Sequence, residues 1–301
     1  MKRPDEFKSL LDNSWKEFSA TWKKARTRSS EKSVHDLRVS TRRLIAMLEL
    51  VRGLSKRDDI IQVQRSFKKV LKGMGPLRDV QVQLEKVSQL KQLGLVADFR
   101  RDLERREHRE IEKIQSELKR GRRQRLTDAV KDVRSEFIRL DESFGDDRIR
   151  RSVDRVLAVR RNEFLKAVRR FRRLQPLDEE ALHEMRIALK KLRYVIEAAQ
   201  PVLGPSAKQR ALRMHVFQQL MGDSRDVELL RTELEKWAKK KGRTVAIVPT
   251  LARLTEKREI LLKKVVESTD QLEKSLETET PLPIETTYAI VTPVSASSLR
   301  V

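Results

Sequence analysis

The chain contains no cysteine in 301 residues, which excludes disulfides, zinc–thiolate centres and a thiol nucleophile. Glycine and proline are scarce, nine of each, so few positions can interrupt a helix. Aromatic residues make up 5%, too few for the stacking platforms that hold single-stranded nucleic acid. No window approaches the ~20 apolar residues of a membrane-spanning helix. The amino-terminal MKRPDEFKSLLDNSW also lacks the apolar centre of a signal peptide. The expectation is a soluble, cytoplasmic protein with no membrane insertion. Neither a Gly-x-x-x-x-Gly-Lys-Ser/Thr loop nor a Gly-x-Gly-x-x-Gly turn is present, and no cofactor is expected.

What the chain has in excess is positive charge. Its 68 Lys and Arg against 45 Asp and Glu leave a formal net charge of +23. Such an excess attracts polyanions whatever the fold, and cannot say whether the partner is nucleic acid, an anionic membrane or a phosphate polymer. Hydrophobic and charged residues each account for 38%, a lean, charged mixture that suits slender helical bundles better than a sheet core. The fold class expected is all-α.

The stretch Val34–Leu50, VHDLRVSTRRLIAMLEL, occurs twice, returning from Leu182 as LHEMRIALKKLRYVIEA. His35 pairs with His183, Arg38 with Arg186, Arg42 with Lys190, Arg43 with Lys191 and Glu49 with Glu197, each 148 positions apart. Read as a helix, the first copy places Val34, Leu37, Thr41, Leu44 and Leu48 on one apolar stripe. His35, Arg38 and Arg42 fall on the opposite side within roughly 60° of arc. The second copy sets Leu182, Met185, Leu189, Leu192 and Ile196 against His183, Arg186 and Lys190. Stacked cations at one-turn spacing repel and cost helix stability. A chain that repeats the arrangement in register has an anion to receive there. A solvated basic face is the plainer alternative for either copy taken alone.

A second echo supports duplication. Met74-Gly75-Pro-Leu-Arg78-Asp79-Val80 returns as Met221-Gly222-Asp-Ser-Arg225-Asp226-Val227, at an offset of 147. Helices are expected over residues 7–22, from Ser30 to Gly53 (with Gly53 closing the helix), 58–74, from Arg78-Asp79 (with Asp79 capping) to 94, 96–119 and 122–140. The second half repeats the plan over 149–174, 182–200, 206–221, 225–241 and 249–276. Halves of 1–140 and 141–277 follow, with an extended, unordered tail over 278–301 in which Tyr288–Val291 could add to a strand edge.

His35 and His183 could form a symmetric metal site, but Arg and Lys beside them repel a cation, and none is expected. Arg78-Asp79 and Arg225-Asp226 read either as acid–base elements or as capping aspartates with arginines aimed into a cavity, and the second is preferred. Glu49 and Glu197 are expected to orient basic residues. Nothing supports an enzyme.

With these residues in hand, the chain resembles the CHAD domain family, the α-helical family named for its histidines. The resemblance rests on His35-x-x-Arg38-x-x-x-Arg42-Arg43, on His183-x-x-Arg186-x-x-x-Lys190-Lys191-x-Arg193, and on the Gly-x-x-Arg-Asp turns at Gly75 and Gly222. It covers residues 1–277. Lys190-Lys191 departs from an Arg-Arg pair, keeping charge but losing the forked guanidinium geometry. The resemblance implies two helical bundles related by a pseudo-twofold axis around a basic groove or pore. It also implies binding of inorganic polyphosphate, in some members at polyphosphate granules. Carried onto this chain, the ligand would be held by His35, Arg38, Arg42, Arg43, His183, Arg186, Lys190, Lys191 and Arg193. Arg78 and Arg225 from the turns would join them, as would Lys23, Arg26, Arg169 and Arg173 from the first helix of each half, and Lys68, Lys72 and Arg213 from the third. Nucleic acid is the alternative partner, and a scaffold using its charge only for adhesion is a third reading.

Overall fold

The computed structural model of the chain describes residues 3–55, 57–90, 94–119, 122–141, 145–174 and 178–278. Helices follow in the order α1 (Arg3–Thr27), α2 (Glu31–Ser55), α3 (Asp59–Gly73), α4 (Gly75–Ser88), α5 (Gly94–Lys119), α6 (Arg122–Asp141) and α7 (Asp146–Arg173). They continue as α8 (Glu179–Ala198), the single turn α9 (Gln200–Leu203), α10 (Ser206–Lys240), a 3-10 turn at Val245–Ile247, and α11 (Val248–Thr278). Among the described residues there is no strand, and the fold is all-α as composition and periodicity require. The expected tail beyond Thr278, with Tyr288–Val291, lies outside the described residues, as do residues 142–144 just after the expected boundary between halves.

The two repeated helices start on side-chain caps. Ser30 Oγ accepts from the Ser33 amide at 3.3 Å, ahead of α2. Asp178 accepts from the Glu180 amide at 3.0 Å, ahead of α8. Each cap satisfies an amide that the first helical turn leaves without a carbonyl.

Three local expectations are corrected. Gly53 does not end α2, which continues to Ser55. A Cβ at Gly53 would stand 2.8 Å from Val156 Cγ2 and 3.0 Å from Ser152 Oγ, so this glycine permits close approach of α2 and α7. Asp79 is not a cap. The helix already starts at Gly75 with Pro76 in its first turn, where the missing amide costs nothing, and Asp79 lies a full turn inside. The expected helices over 206–221 and 225–241 are one continuous α10. Where the first half has Gly75-Pro76, the second has Gly222-Asp223; without proline to remove a donor and clash with the preceding turn, the helix runs on.

The side chains pack into three apolar clusters. One unites Phe18, Trp22, Leu37, Leu44 and Phe67 with Val130 and Ile149; a second gathers Phe164, Met185, Leu189, Met214, Met221 and Val265. The third joins Val80, Phe99 and Leu103 of α4 and α5 to Val227, Leu230 and Leu234 of α10 and Leu254 of α11. This last core draws on both halves of the chain, and it brings the Gly-x-x-Arg-Asp segments of α4 and α10 side by side.

Candidate anion-binding site

The predicted apolar stripes of both repeats are buried: Val34, Leu37, Thr41, Leu44 and Leu48 on α2, and Leu182, Met185, Leu189, Leu192 and Ile196 on α8. Each helix therefore turns its His-x-x-Arg face away from the apolar cores. With α2 packed on α8 and α4 on α10, these faces meet. Arg42 of α2 acts electrostatically on both Arg186 and Lys190 of α8, and Arg38 acts on Lys190.

The charges respond to this crowding. Removal from water, followed by the field of Arg42, lowers Arg38 to about 10. Desolvation, then the Arg225 and Arg42 guanidiniums, lower Arg186. Lys190 is held well below the usual lysine range by desolvation and then by Arg186, Arg42 and Arg38. Both repeat histidines are lowered, each first by desolvation: His35 next by Arg78, and His183 next by Arg225 and Arg186. Cations that depress one another in this way are cations without enough anion.

Asp79 and Asp226 of the Arg-Asp segments are the carboxylates that act on Arg38, Arg186 and Lys190, while Asp36 acts on His35 and Glu184 on His183. Asp79 of α4 faces Arg38 of its own half and Arg225 and Arg186 of the other. Asp226 of α10 faces Arg186 of its own half and Arg78 and Lys86 of the other. Desolvation raises both carboxyls despite those cations. Lys86 also bonds Asp223 at 2.7 Å, fastening α4 to α10. Arg78 is tied to Glu31 at 2.7 Å, at the start of α2.

Several residues named from the sequence stand elsewhere. Arg43 is exposed and pairs with Glu17 at 2.6 Å and Glu197 at 3.8 Å. Arg193 is buried: its Nε donates to Gln218 Oε1 at 3.0 Å, it pairs with Glu197, and its guanidinium lies 4.2 Å from the Tyr194 ring centre. These contacts make it part of the packing. Lys191 and Lys68 approach one another near Arg160 and Glu49 rather than joining the cluster, and Lys191 contacts Glu163 at 3.8 Å. Lys23, Arg26, Lys72, Arg169 and Arg173 are exposed and Arg213 partly so, and none of them is among the main electrostatic partners of Arg38, Arg186 or Lys190. Glu49 and Glu197 do hold basic residues, Glu49 through Arg160 at 2.5 Å and Glu197 through Arg193.

Asp79 and Asp226 are what the sequence reading underrated, although their repetition with Arg78 and Arg225 was visible. Lys86 and His215 carried no such signal. His215 is lowered by desolvation, Arg193 and His35, and its buried Nδ1 has no hydrogen-bond partner. The buried Nδ1 of His183 and Nε of Arg186 are likewise unpartnered. No three His, Asp or Glu side chains gather as a metal ion would need, among the described residues. No helix among them is long and apolar enough to cross a membrane.

Comparison with known proteins agrees with this fold. The crystal structure of the CHAD domain from the plant Ricinus communis is similar with a TM-score of 0.65 at 16% identity, over 92% of each chain. PptA from Streptomyces chartreusis is similar with a TM-score of 0.60 at 19% identity, over 91% of this chain and 98% of that one. No curated protein matches the sequence. The CHAD domain family model matches residues 9–235, well over half of the chain, and the protein therefore belongs to the CHAD domain family.

Proposed function

We propose that this protein binds inorganic polyphosphate in the cluster built by His35, Arg38, Arg42, His183, Arg186 and Lys190, with Arg78 and Arg225 at its edge. The observation that carries the reading is the gathering of Arg38 and Arg42 of α2 with Arg186 and Lys190 of α8, where desolvation and neighbouring guanidiniums lower Arg38, Arg186 and Lys190 and the facing carboxylates are Asp79 and Asp226. A phosphate chain supplies the missing charge without bases to stack, and so suits a site poor in aromatics. Arg provides forked donors to phosphate oxygens, and Lys and protonated His add single donors. Binding of polyphosphate by the CHAD family narrows the polyanion.

On this reading the halves 1–140 and 141–277 are copies of one unit, each lending one His-x-x-Arg helix. Association with polyphosphate granules in the cell belongs to the same proposal. The deciding experiment is competition. Labelled polyphosphate bound to the protein should resist displacement by duplex DNA at equal phosphate concentration. Displacement at parity would favour a nucleic-acid binder using the general positive surface.

A further inference from the structure

The arginines of the two Arg-Asp segments occupy repeated positions but keep different company. Glu31 opens α2 and Glu179 opens α8, 148 positions apart, each one turn before the histidine of its motif. In the first half Glu31 bonds Arg78 at 2.7 Å, and the charge of Arg78 also acts on His35. In the second half Arg225 acts on His183 in the same way. Glu179, however, is engaged by Arg258 of α11. Arg225 is thus left without the ion pair that its counterpart has, among the described residues.

The difference comes from an exchange of charge three residues past each arginine. Gln81 of α4 stands where α10 has Glu228. The Gln81 amide donates to Glu107 of α5 at 3.3 Å, an acid that cannot engage Glu31. Glu228 holds Arg258 at 3.2 Å and Arg231 at 2.7 Å. Arg258 therefore bridges two carboxylates, offering Nε to Glu228 and Nη2 to Glu179.

From these ion pairs we infer that Arg258 is a positioning residue for the polyanion: it holds Glu179 away from Arg225 and so leaves the Arg225 guanidinium open to phosphate. The inference rests on the polyphosphate reading above and makes the two arms of that site unequal. Carboxylate and phosphate compete for the same forked donors. Phosphate can add to Arg225 directly, whereas at Arg78 it must first displace Glu31. Without Arg258, Glu179 takes Arg225 as Glu31 takes Arg78, and the second arm becomes a copy of the first. Arg258 acts through Arg225 and makes no contact with the ligand.

The test is a double-mutant cycle on the intact protein, with polyphosphate affinity measured by fluorescence anisotropy. Arg258→Gln should weaken binding about three- to tenfold, up to the loss of one charge-assisted contact. Arg253→Gln, which removes an exposed cation from the same helix, should change it little. Arg258→Lys, which can still engage Glu179, should keep most of the affinity. Adding Glu179→Gln to Arg258→Gln should restore it, because no carboxylate then competes for Arg225. A loss no larger than that of Arg253→Gln overturns the inference, as does a loss that Glu179→Gln fails to rescue.

A second readout needs no ligand. The His183 pKa, followed by NMR and assigned from the signal missing in His183→Gln, reports the charge of Arg225 beside it. Arg258→Gln should raise that pKa, since Glu179 then offsets Arg225, and the double variant should not. An unchanged His183 in Arg258→Gln also overturns the inference. If the wild-type chain binds no polyphosphate, the functional reading falls, and the His183 titrations alone uphold or overturn the hold of Arg258 on Glu179.

Discussion

Arg38 donates from Nη1 to the backbone carbonyl of Leu71 at 3.1 Å, a bond that its counterpart in the second repeat does not have. Leu71 lies in the last turn of α3, where carbonyls run short of helical donors. The corresponding carbonyl, that of Gln218, sits inside the unbroken α10, where helical geometry supplies the Gly222 amide. Arg186 thus has no helix end to serve, and its buried Nε is unpartnered. The proline that breaks one helix and is absent from the other makes one arginine partly structural and leaves its twin without that bond.

Removing both arginines separates a built site from net charge. Arg38→Ala with Arg186→Ala should weaken polyphosphate binding by at least about tenfold, since charge-assisted contacts are worth about 1.5–3 kcal/mol each and 1.4 kcal/mol is tenfold. Arg105→Ala with Arg109→Ala, two exposed residues of α5, removes the same charge and should change little. Of the single variants, Arg38→Ala should also lower the melting temperature through its lost bond to Leu71, whereas Arg186→Ala should not. Equal binding losses in the two double variants would show that the stripe is not the site.

Salt dependence tests the multiplicity of contacts. With Arg38, Arg42, Arg78, Arg186, Lys190 and Arg225 engaged, log affinity should fall linearly with log salt, with a slope of roughly −4 to −5. Losing one of them, as in Arg42→Ala, should make the slope shallower by roughly 1. A flat dependence measured by fluorescence anisotropy would point to a small specific ligand.

The histidines give opposite signs for stability and binding. His35, His183 and His215 are lowered from 6.5 in the folded chain. As pH falls below 6.5 the unfolded chain takes up protons first, so their contribution to ligand-free stability should decline. Bound phosphate reverses the balance at His35 and His183 by favouring imidazolium. Affinity should therefore rise over the same interval, with net proton uptake seen as buffer-dependent heat in calorimetry. His35→Gln with His183→Gln should remove most of that uptake. Binding that weakens on acidification would exclude both histidines from the ligand.

Two glycines should respond oppositely to alanine. At Gly53 the new methyl would meet Val156 and Ser152, and overpacking there should cost about 1–3 kcal/mol. At Gly222, inside α10 with nothing within 4 Å of an added Cβ, alanine should stabilise by up to about 1 kcal/mol through helix propensity. Denaturant titration of both variants checks the pair; a neutral Gly53→Ala would mean that α2 and α7 can separate at little cost.

The stripes on α2 and α8 were legible in the sequence because helical periodicity depends only on local geometry. Every apolar position predicted for them is buried. The cationic residues opposite were legible for the same reason. Asp79 was misread because its neighbours in sequence, Gly75 and Pro76, look like the approach to a helix rather than its first turn. Arg43 and Arg193 follow the family motif yet serve Glu17, Glu197 and Gln218. Their carboxylate and amide partners stand from 4 to 154 positions away, and nothing in a charge pattern says which cation will find one.

By itself the sequence determined the all-helical class, the two offset repeats, the excess of positive charge and the face on which each key cation lies. These follow from periodicity and composition, which act within a helix. Tertiary structure alone decided which cations meet. It set α2 on α8, brought α4 beside α10 through the core of Val80, Phe99, Val227 and Leu230, and placed Asp79 and Asp226 across from the arginines of the opposite half. The shifts at Arg38, Arg186 and Lys190 exist only in that assembly. Desolvation and charge–charge repulsion depend on distances through space, and 148 residues of intervening chain carry no record of them until the helices pack.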